Sequence, residues 1–406
     1  MPRVLQINVS SNRGSTGRIA EQIGLLANQN GWDTYMIYGR SMNPSSLKTI
    51  KVGTMLNVYE HYLEHRVFDN DGLASRGITK LLVKQIQTIR PDLIHLHNIH
   101  GHWLNIRILF DYLASLSIPI VWTQHDCWAF TGGCYYFDML GCEKWKTGCS
   151  ECSLREQGVL PFFDRSCFLY NLRKELFNKI ECLTLVPVSN WLENLERESF
   201  LSKHRILTIH NGVDINAFKP SDGAAVRKNY KITDNTTIVL GVASVWEPRK
   251  GLDDFIRLSS LVDDNTIIVL VGVSSKQIQS LPCNIIGIER TDSLEELRDI
   301  YSAADLYANL TYEDNFPTTN LEALACGTPV LTYQTGGSVE AVNKETGFIV
   351  RQGDLNAVLE IINLVRESNK SSFSEACRER AVSFFNKDDR FIDYINLYNA
   401  LLDEGR

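Results

Sequence analysis

Asp314 and Glu322 stand eight positions apart in a run reading Asp-Asn-Phe-Pro-Thr-Thr-Asn-Leu-Glu-Ala-Leu-Ala-Cys-Gly-Thr-Pro-Val. Asp314 falls in a polar loop. Glu322 falls about a turn inside a short helix expected to start near Thr318 and stop at Gly327. Thr318 suits an N-cap, Gly327 suits a C-terminal stop, and Pro329 bars continuation into the apolar strand expected at 330–333. A helix N-terminus presents N–H groups and partial positive charge, so it can hold a phosphate. Carboxylates beside it accept hydrogen bonds from sugar hydroxyls. The run therefore suits a ligand with both parts, such as a nucleotide-sugar.

Other residues suit the same ligand. Arg249 and Lys250 precede Gly251 between an expected strand, 237–243, and an expected helix, 252–261. Two cations at a helix N-terminus oppose its dipole unless an anion lies between them, and a diphosphate satisfies both. Gly14-Ser15-Thr16-Gly17 follows the first expected strand, 4–9, and opens the first expected helix, 17–28. Small residues there let backbone N–H groups approach an anion, although a tight strand-to-helix turn accounts for them equally well. No Gly-Lys-Ser/Thr closes the run, so it is not a Walker motif. His125-Asp126 lies at the carboxyl end of the strand expected at 118–123, where doubly wound domains meet their ligands. A structural His125–Asp126 pair is the competing reading. His95 and His97 share a strand face, which makes a metal pair conceivable, but packing and ligand-lining roles explain them more simply.

Five of the ten cysteines fall within 127–152, with glycines interleaved. Cys149-x-x-Cys152 has the spacing of one zinc knuckle, and Cys134 and Cys142 complete a set of four. A structural zinc site and reduced thiols in a buried loop both remain open.

The elements that must position these residues alternate between strand and helix along the whole chain, the mark of parallel α/β domains. One series of expected strands runs from 4–9 to 206–209, and a second from 237–243 to 330–333. The join falls near 211–221. Two such domains imply a cleft, with ligands at the carboxyl ends of the strands. A last helix near 389–402 spaces Phe391, Tyr394, Ile395, Tyr398 and Leu401 along one side. An amphipathic helix is expected over 163–180. Core packing is its simpler role, and a peripheral patch for a lipid-linked acceptor, with Arg165, Arg173, Lys174 and Lys179 nearby, is the sharper one.

Taken in order, these elements resemble the family-four retaining glycosyltransferases of GT-B fold, nearest to those that build capsular, exo- or lipopolysaccharides. Aligned on Asn315-Phe316-Pro317, the family's Glu-x7-Glu motif puts its first Glu on Asp314 and its second on Glu322. The Lys-Gly element matches Lys250-Gly251, while the family arginine five residues earlier falls on Val245, leaving Arg249 as its substitute. His125-Asp126, Asn211-Gly212-Val213-Asp214 and the Gly336-Gly337 turn with Glu340 also match. Cysteine-rich inserts of this kind look similar to those of polysaccharide-type members.

The resemblance implies two Rossmann-like domains facing across a cleft. These are an acceptor-side domain at 1–215 carrying the insert 127–152, a nucleotide-sugar domain at 216–386, and a helix at 387–406 crossing back to the first. It implies catalytic roles for His125, Lys250, Asp314 and Glu322. Donor contacts would come from Gly14, Ser15, Thr16, Gly17, Asn211, Arg249, Asn315, Phe316, Pro317, Thr318 and Thr319. Asp69-Asn70-Asp71 imitates the Asp-x-Asp motif of metal-dependent enzymes, but lies far along the chain from the nucleotide elements and reads as coincidence. No catalytic cofactor is expected, only a nucleoside-diphosphate sugar as donor and a glycan or lipid-linked glycan as acceptor.

Net charge is −7, with residues 216–406 holding 28 acids against 19 Lys and Arg, a balance that argues against nucleic-acid binding. The N-terminus enters an apolar strand without a signal-peptide pattern, and a cytoplasmic enzyme, peripheral to the inner face of the membrane, is expected. Three rivals remain: a nucleotide-sugar hydrolase or epimerase on the same fold, a non-catalytic sugar-nucleotide-binding subunit, and a cysteine-knuckle nucleic-acid-binding protein.

Overall fold

The structure, a computed structural model, describes residues 1–153 and 162–404. It divides into two compact units, Met1–His210 with Phe391–Arg406, and Asn211–Arg390.

The first unit runs β1 (Arg3–Asn8), α1 (Gly14–Gln29), β2 (Asp33–Tyr38), β3 (Lys48–Lys51), α2 (Met55–Phe68), α3 (Arg76–Ile89), β4 (Leu93–Leu96), α4 (Ile106–Leu113), β5 (Ile120–Gln124), α5 (Ser166–Phe177), β6 (Leu183–Pro187), α6 (Asn190–Glu198) and β7 (Arg205–Ile206). All strands pair in parallel, in the order β3-β2-β1-β4-β5-β6-β7. The central strands are buried on both faces, which is why they read as near-continuous apolar runs. Successive residues point to opposite faces, so Leu5 and Val4 serve different cores. Leu5 packs in the core that includes Leu82, Ile86, Phe110 and Phe177. Val4 packs in the one that includes Ile19, Ile23 and Val121.

The second unit runs α7 (Ala224–Asn229), β8 (Thr237–Val242), α8 (Leu252–Ser259), β9 (Thr266–Val271), α9 (Ser275–Ile278), β10 (Ile285–Ile288), α10 (Leu294–Ala303), β11 (Leu306–Asn309), α11 (Thr318–Ala325), β12 (Val330–Tyr333), β13 (Gly347–Val350), α12 (Leu355–Ser368) and α13 (Ser371–Phe385). Its parallel sheet has the order β10-β9-β8-β11-β12-β13. Each unit is therefore a doubly wound, Rossmann-like domain. The final helix, α14 (Lys387–Glu404), begins in the second unit and from Phe391 belongs to the first. There Phe391, Tyr394, Ile395, Tyr398 and Leu401 join the core around Val4. Full burial of such side chains is worth about 1.5–3 kcal/mol each.

One local expectation needs correction, and one of the two roles weighed for the helix at 163–180 is met. Helix α1 starts at Gly14, so the small-residue run is the helix's first turn rather than a loop before it. Gly17 packs closely, since a Cβ there would lie 3.1 Å from the Ser10 carbonyl oxygen. Helix α5 is a core helix that buries Leu169, Tyr170, Leu172, Leu176 and Phe177. Its Arg173, expected near the surface, is fully buried against Asp71. No helix among the described residues is long and apolar enough to cross a membrane.

Candidate functional site

In the second unit, the chain leaves β8 toward β9 on one side, while neighbouring β11 leads to β12 on the other. The carboxyl ends of β8 and β11 are therefore the topological switch point, where doubly wound sheets bind ligands. The two loops leaving these strands are stitched together. Tyr312 N donates to the Arg249 carbonyl at 2.8 Å, and Arg249 Nη1 donates to the Glu313 carbonyl at 2.9 Å. Lys250 Nζ bonds Asp314 Oδ2. Gly251 is obligatory, because its φ is +75° and a Cβ would lie 2.1 Å from the Leu310 carbonyl oxygen.

Asp314 Oδ1 accepts from Asn315 N at 2.9 Å, and Asn315 and Phe316 are buried behind it. Asn211 Nδ2 reaches the Phe316 carbonyl at 3.4 Å, so Asn211 supports this turn from below. The N-cap of α11 is Pro317, not Thr318, and no side chain caps the helix. Serines 189, 274 and 293 do cap α6, α9 and α10. Thr318 and Thr319 thus occupy the first turn of a helix whose N-terminal amides point out at the switch point. One turn on, Glu322 Oε2 accepts from Tyr301 Oη at 2.9 Å. Burial, with the Glu322 charge beside it, pushes Tyr301 well above its ordinary value and keeps it a donor. Gly327 follows the helix with φ +73°, as its stop signal required.

Beside this lies a cavity of about 670 Å³ at the carboxyl ends of β8, β9 and β10. Ser244, Val245, Trp246, Ser274, Gln277 and Glu289 are among its lining residues. Val245 is 61% exposed, an apolar face offered to the opening.

In the first unit the corresponding switch point lies between β1 and β4. Gly14–Gly17 opens α1 after β1, and His125 follows β5. Asp126 does not pair with His125. It bonds His100 Nε2 at 2.8 Å and Trp128 N at 2.9 Å. Burial brings His125 down to about 4, outweighing Asp126, so the ring is neutral at pH 7. Its Nε2 lies 3.4 Å from His97 Nδ1, and His97 Nε2 lies 2.8 Å from Gln6 Oε1. His95 has both nitrogens engaged, with Tyr398 Oη at 2.5 Å and Thr123 Oγ1 at 2.7 Å. That pairing makes His95 a packing residue and ties α14 to β4 and β5.

Burial lowers His95 to about 3. An unfolded chain takes up this proton near the ordinary value of 6.5, whereas the folded chain resists it to about 3. The unfolded state binds more protons throughout that window, so stability falls as pH drops from 6.5 towards 3. His95→Gln should flatten the acid limb of a Tm-versus-pH curve; an unchanged limb would remove His95 from the account.

The four cysteines of the insert gather in the first unit. The Cys134 thiol bonds Cys152, and that bond and burial hold its pKa up, with Cys149 and Cys142 contributing. Cys149, raised to about 11 mainly by burial, accepts from Gly132 N at 3.3 Å. All described cysteines are free thiols. Among the described residues, the group of three whose ligand atoms all lie within 4.8 Å is His65, Asp71 and His102.

Comparison with known proteins bears on both units. The family model described as Glycosyltransferase Family 4 matches residues 23–217, and the model Glycosyl transferases group 1 matches residues 236–367. The chain is a glycosyltransferase, with the family 4 domain over residues 23–217. The glycosyltransferase is 23% identical to the putative colanic acid biosynthesis glycosyl transferase WcaC of Escherichia coli K12, over 98% of this chain and all of the relative. Its fold is similar to sucrose-phosphate synthase of Thermosynechococcus elongatus, with TM-score 0.75 at 19% identity, covering 100% of each chain. Anabaena HepE in complex with UDP-glucose superposes with TM-score 0.68 at 16% identity, over 98% of this chain and 99% of that one. Both solved structures share the GT-B fold.

The glycosyltransferase thus brings Arg249, Lys250, Asp314, Asn315, Phe316, Pro317, Thr318, Thr319 and Glu322 together around one switch point. Gly14, Ser15, Thr16, Gly17 and His125 stand at strand ends of the other unit. The cavity lined by Trp246, Ser274 and Gln277 was missed in the sequence. Its lining comes from three separate loops, which only the fold brings together. The signal that could have found it was the Ser274…Gln277 capping box, which marks a helix opening after β9.

Proposed function

We propose that the chain moves a glycosyl group from a nucleoside-diphosphate sugar to a hydroxyl of a glycan or lipid-linked glycan, in the building of a cell-surface polysaccharide. The observation that carries this reading is Lys250 on Asp314 beside the uncapped N-terminus of α11. A donor would divide that pair, its phosphate taking Lys250 and its sugar hydroxyls taking Asp314. Arg249 and the first-turn amides near Thr318 and Thr319 would stabilise the same departing charge. Glu322, oriented by Tyr301, would accept from ribose hydroxyls. The cavity beside Trp246 would take the base. HepE, crystallised with UDP-glucose, supports UDP as the first nucleotide to test, and the colanic acid relative supports a polysaccharide product.

In the reaction, the bond from the anomeric carbon to the diphosphate oxygen breaks and its electron pair leaves with the phosphate. The acceptor oxygen bonds that carbon with retained configuration, and its proton passes to the leaving phosphate. No protein base is needed, and the neutral His125 would donate to the sugar or its phosphate. No catalytic metal is needed either, since Lys250 supplies the charge a cation would. Cys134, Cys142, Cys149 and Cys152 would form a structural zinc set, a reading supported by the Cys134–Cys152 contact.

The test is thermal stabilisation by nucleotides. UDP, or another single nucleoside diphosphate, is expected to raise Tm in the unaltered chain and not in Glu322→Ala, equally with and without Mg²⁺ or Mn²⁺. No rise with any nucleotide would defeat the reading, and a rise only with metal would defeat its metal-independent part. Val245 at the arginine position favours one alternative, a non-catalytic nucleotide-sugar-binding subunit. Stabilisation without turnover on any acceptor would select it.

A membrane-borne acceptor has a better surface than the one expected on α5. Helix α2 exposes Leu56, Tyr59, Leu63 and Phe68, and Phe162 N bonds the Arg66 carbonyl at its end. An apolar helix face of this kind can lie in a lipid interface. Leu56→Glu with Leu63→Glu should abolish flotation with anionic vesicles; unaltered flotation would clear α2 of this role.

A further inference from the structure

Helix α2 has a second unusual face. Only Val58 and His61 on it are buried. Helices in proteins are held mainly by an apolar stripe against the core, so two buried residues are a thin anchor for fourteen. What α2 does carry inward is imidazole. His61 and His65 stand four residues apart, on one helical face. The ring of His102, from the loop after β4, lies 5.6 Å from that of His61 and 5.0 Å from that of His65. Asp71, just past the end of α2, completes the cluster: ligand atoms of His65, Asp71 and His102 lie within 4.8 Å of one another.

Three nitrogens here, His61 Nε2, His65 Nδ1 and His102 Nε2, are buried without a hydrogen-bond partner. Asp69 Oδ1 lies 3.5 Å from His65 Nδ1, an ion-pair distance without hydrogen-bond geometry. Buried polar atoms in folded proteins are almost always satisfied, so the orphaned nitrogens of His65 and His102, grouped with the Asp71 carboxylate, call for a common partner.

We propose that His65, His102 and Asp71 bind a divalent transition-metal ion of the zinc class that staples α2 to the loop after β4. Imidazoles with one carboxylate select this class over Mg²⁺ and Ca²⁺, which prefer oxygen donors throughout. Three protein donors leave the fourth tetrahedral position to water. The outer partners are in place. Asp71 Oδ2 accepts from Arg173 Nη2 and Trp128 Nε1, each at 2.6 Å. Such partners fix the direction in which a ligand presents its remaining atom.

Co²⁺ distinguishes this site from the cysteines. The full chain, stripped with chelator and titrated with Co²⁺, is expected to show visible absorption from nitrogen and oxygen ligation. That absorption should survive in Cys149→Ser/Cys152→Ser, where thiolate charge-transfer bands are weakened. His65→Asn should weaken the same binding by at least the roughly 10–100-fold that loss of an outer partner costs. His65 is partly exposed, so this variant disturbs packing least, and if it fails to fold the spectrum of the unaltered chain still decides. In the cysteine-variant background, Zn²⁺ should raise Tm only while His65 is present. Cobalt bound solely through thiolates, no cobalt bound at all, or an equal Zn²⁺ effect without His65 would each overturn the proposal.

Discussion

Lys250→Ala is expected to lower kcat by about 10²–10³-fold, the usual consequence of removing one group aimed at charge that develops in the transition state. The position leaves little freedom for a substitute. The lysine precedes a glycine pressed against the Leu310 carbonyl, so the backbone there cannot shift to bring another donor in. If Lys250 bound donor and transition state equally, KM would rise with kcat unchanged. A fall in kcat is the specific expectation. Loss of the lysine also strips Asp314 of its partner, but both side chains keep some solvent contact, 20% and 15% exposed, so stability should change little. Equal Tm values for Lys250→Ala and Lys250→Ala/Asp314→Asn would place the loss in chemistry. A fall in kcat below about tenfold would take Lys250 out of the leaving-group role.

Arg173→Met should produce the largest loss of stability, about 3–5 kcal/mol. The guanidinium is wholly buried, bonds Asp71 at 2.6 Å, donates to the Thr131 carbonyl at 2.7 Å and lies 4.0 Å over the Trp128 ring. Removing it strands a buried carboxylate, which costs far more than the pair contributes. Asp71→Leu added to Arg173→Met should recover much of the loss, because a well-packed apolar pair carries no stranded charge. Six of the seven tryptophans belong to the first unit, so urea unfolding followed by tryptophan fluorescence reads mainly this region. Chelator in every sample keeps metal linkage out of the comparison. A loss under about 1 kcal/mol would mean that Asp71 is neutral or solvated without its arginine.

The parallel sheets were legible because buried strands such as 237–243 and 330–333 show as apolar runs between turn signals, whatever packs on them. The chemistry at the second switch point was legible for a related reason. Lys250-Gly251 and Asp314–Glu322 are each short, and β8 and β11 being neighbours is enough to bring them together. What stayed hidden depends on partners distant in the chain. Helix α2 escaped notice because Leu56, Tyr59 and Leu63 face outward, which breaks the apolar period that marks a core helix. Asp71 looked like half of a chance motif and Arg173 like a surface cation. Nothing local says that residues 102 apart meet in the core. A His125–Asp126 pair was the competing reading of the sequence, yet geometry gives Asp126 to His100 across the end of the adjacent strand.

Because α14 supplies Phe391, Tyr394, Ile395 and Tyr398 to the core around Val4 and Ile19, the unit made first is the one finished last. On the ribosome, one greasy side of its sheet must wait half covered, by α1 without α14, while all of Asn211–Arg390 is synthesised, on the order of 10–40 s at common elongation rates. That interval is a window for chaperones and for aggregation. A stop codon a few turns early would not trim a tail; it would leave the amino-terminal half permanently in its unfinished, nascent form.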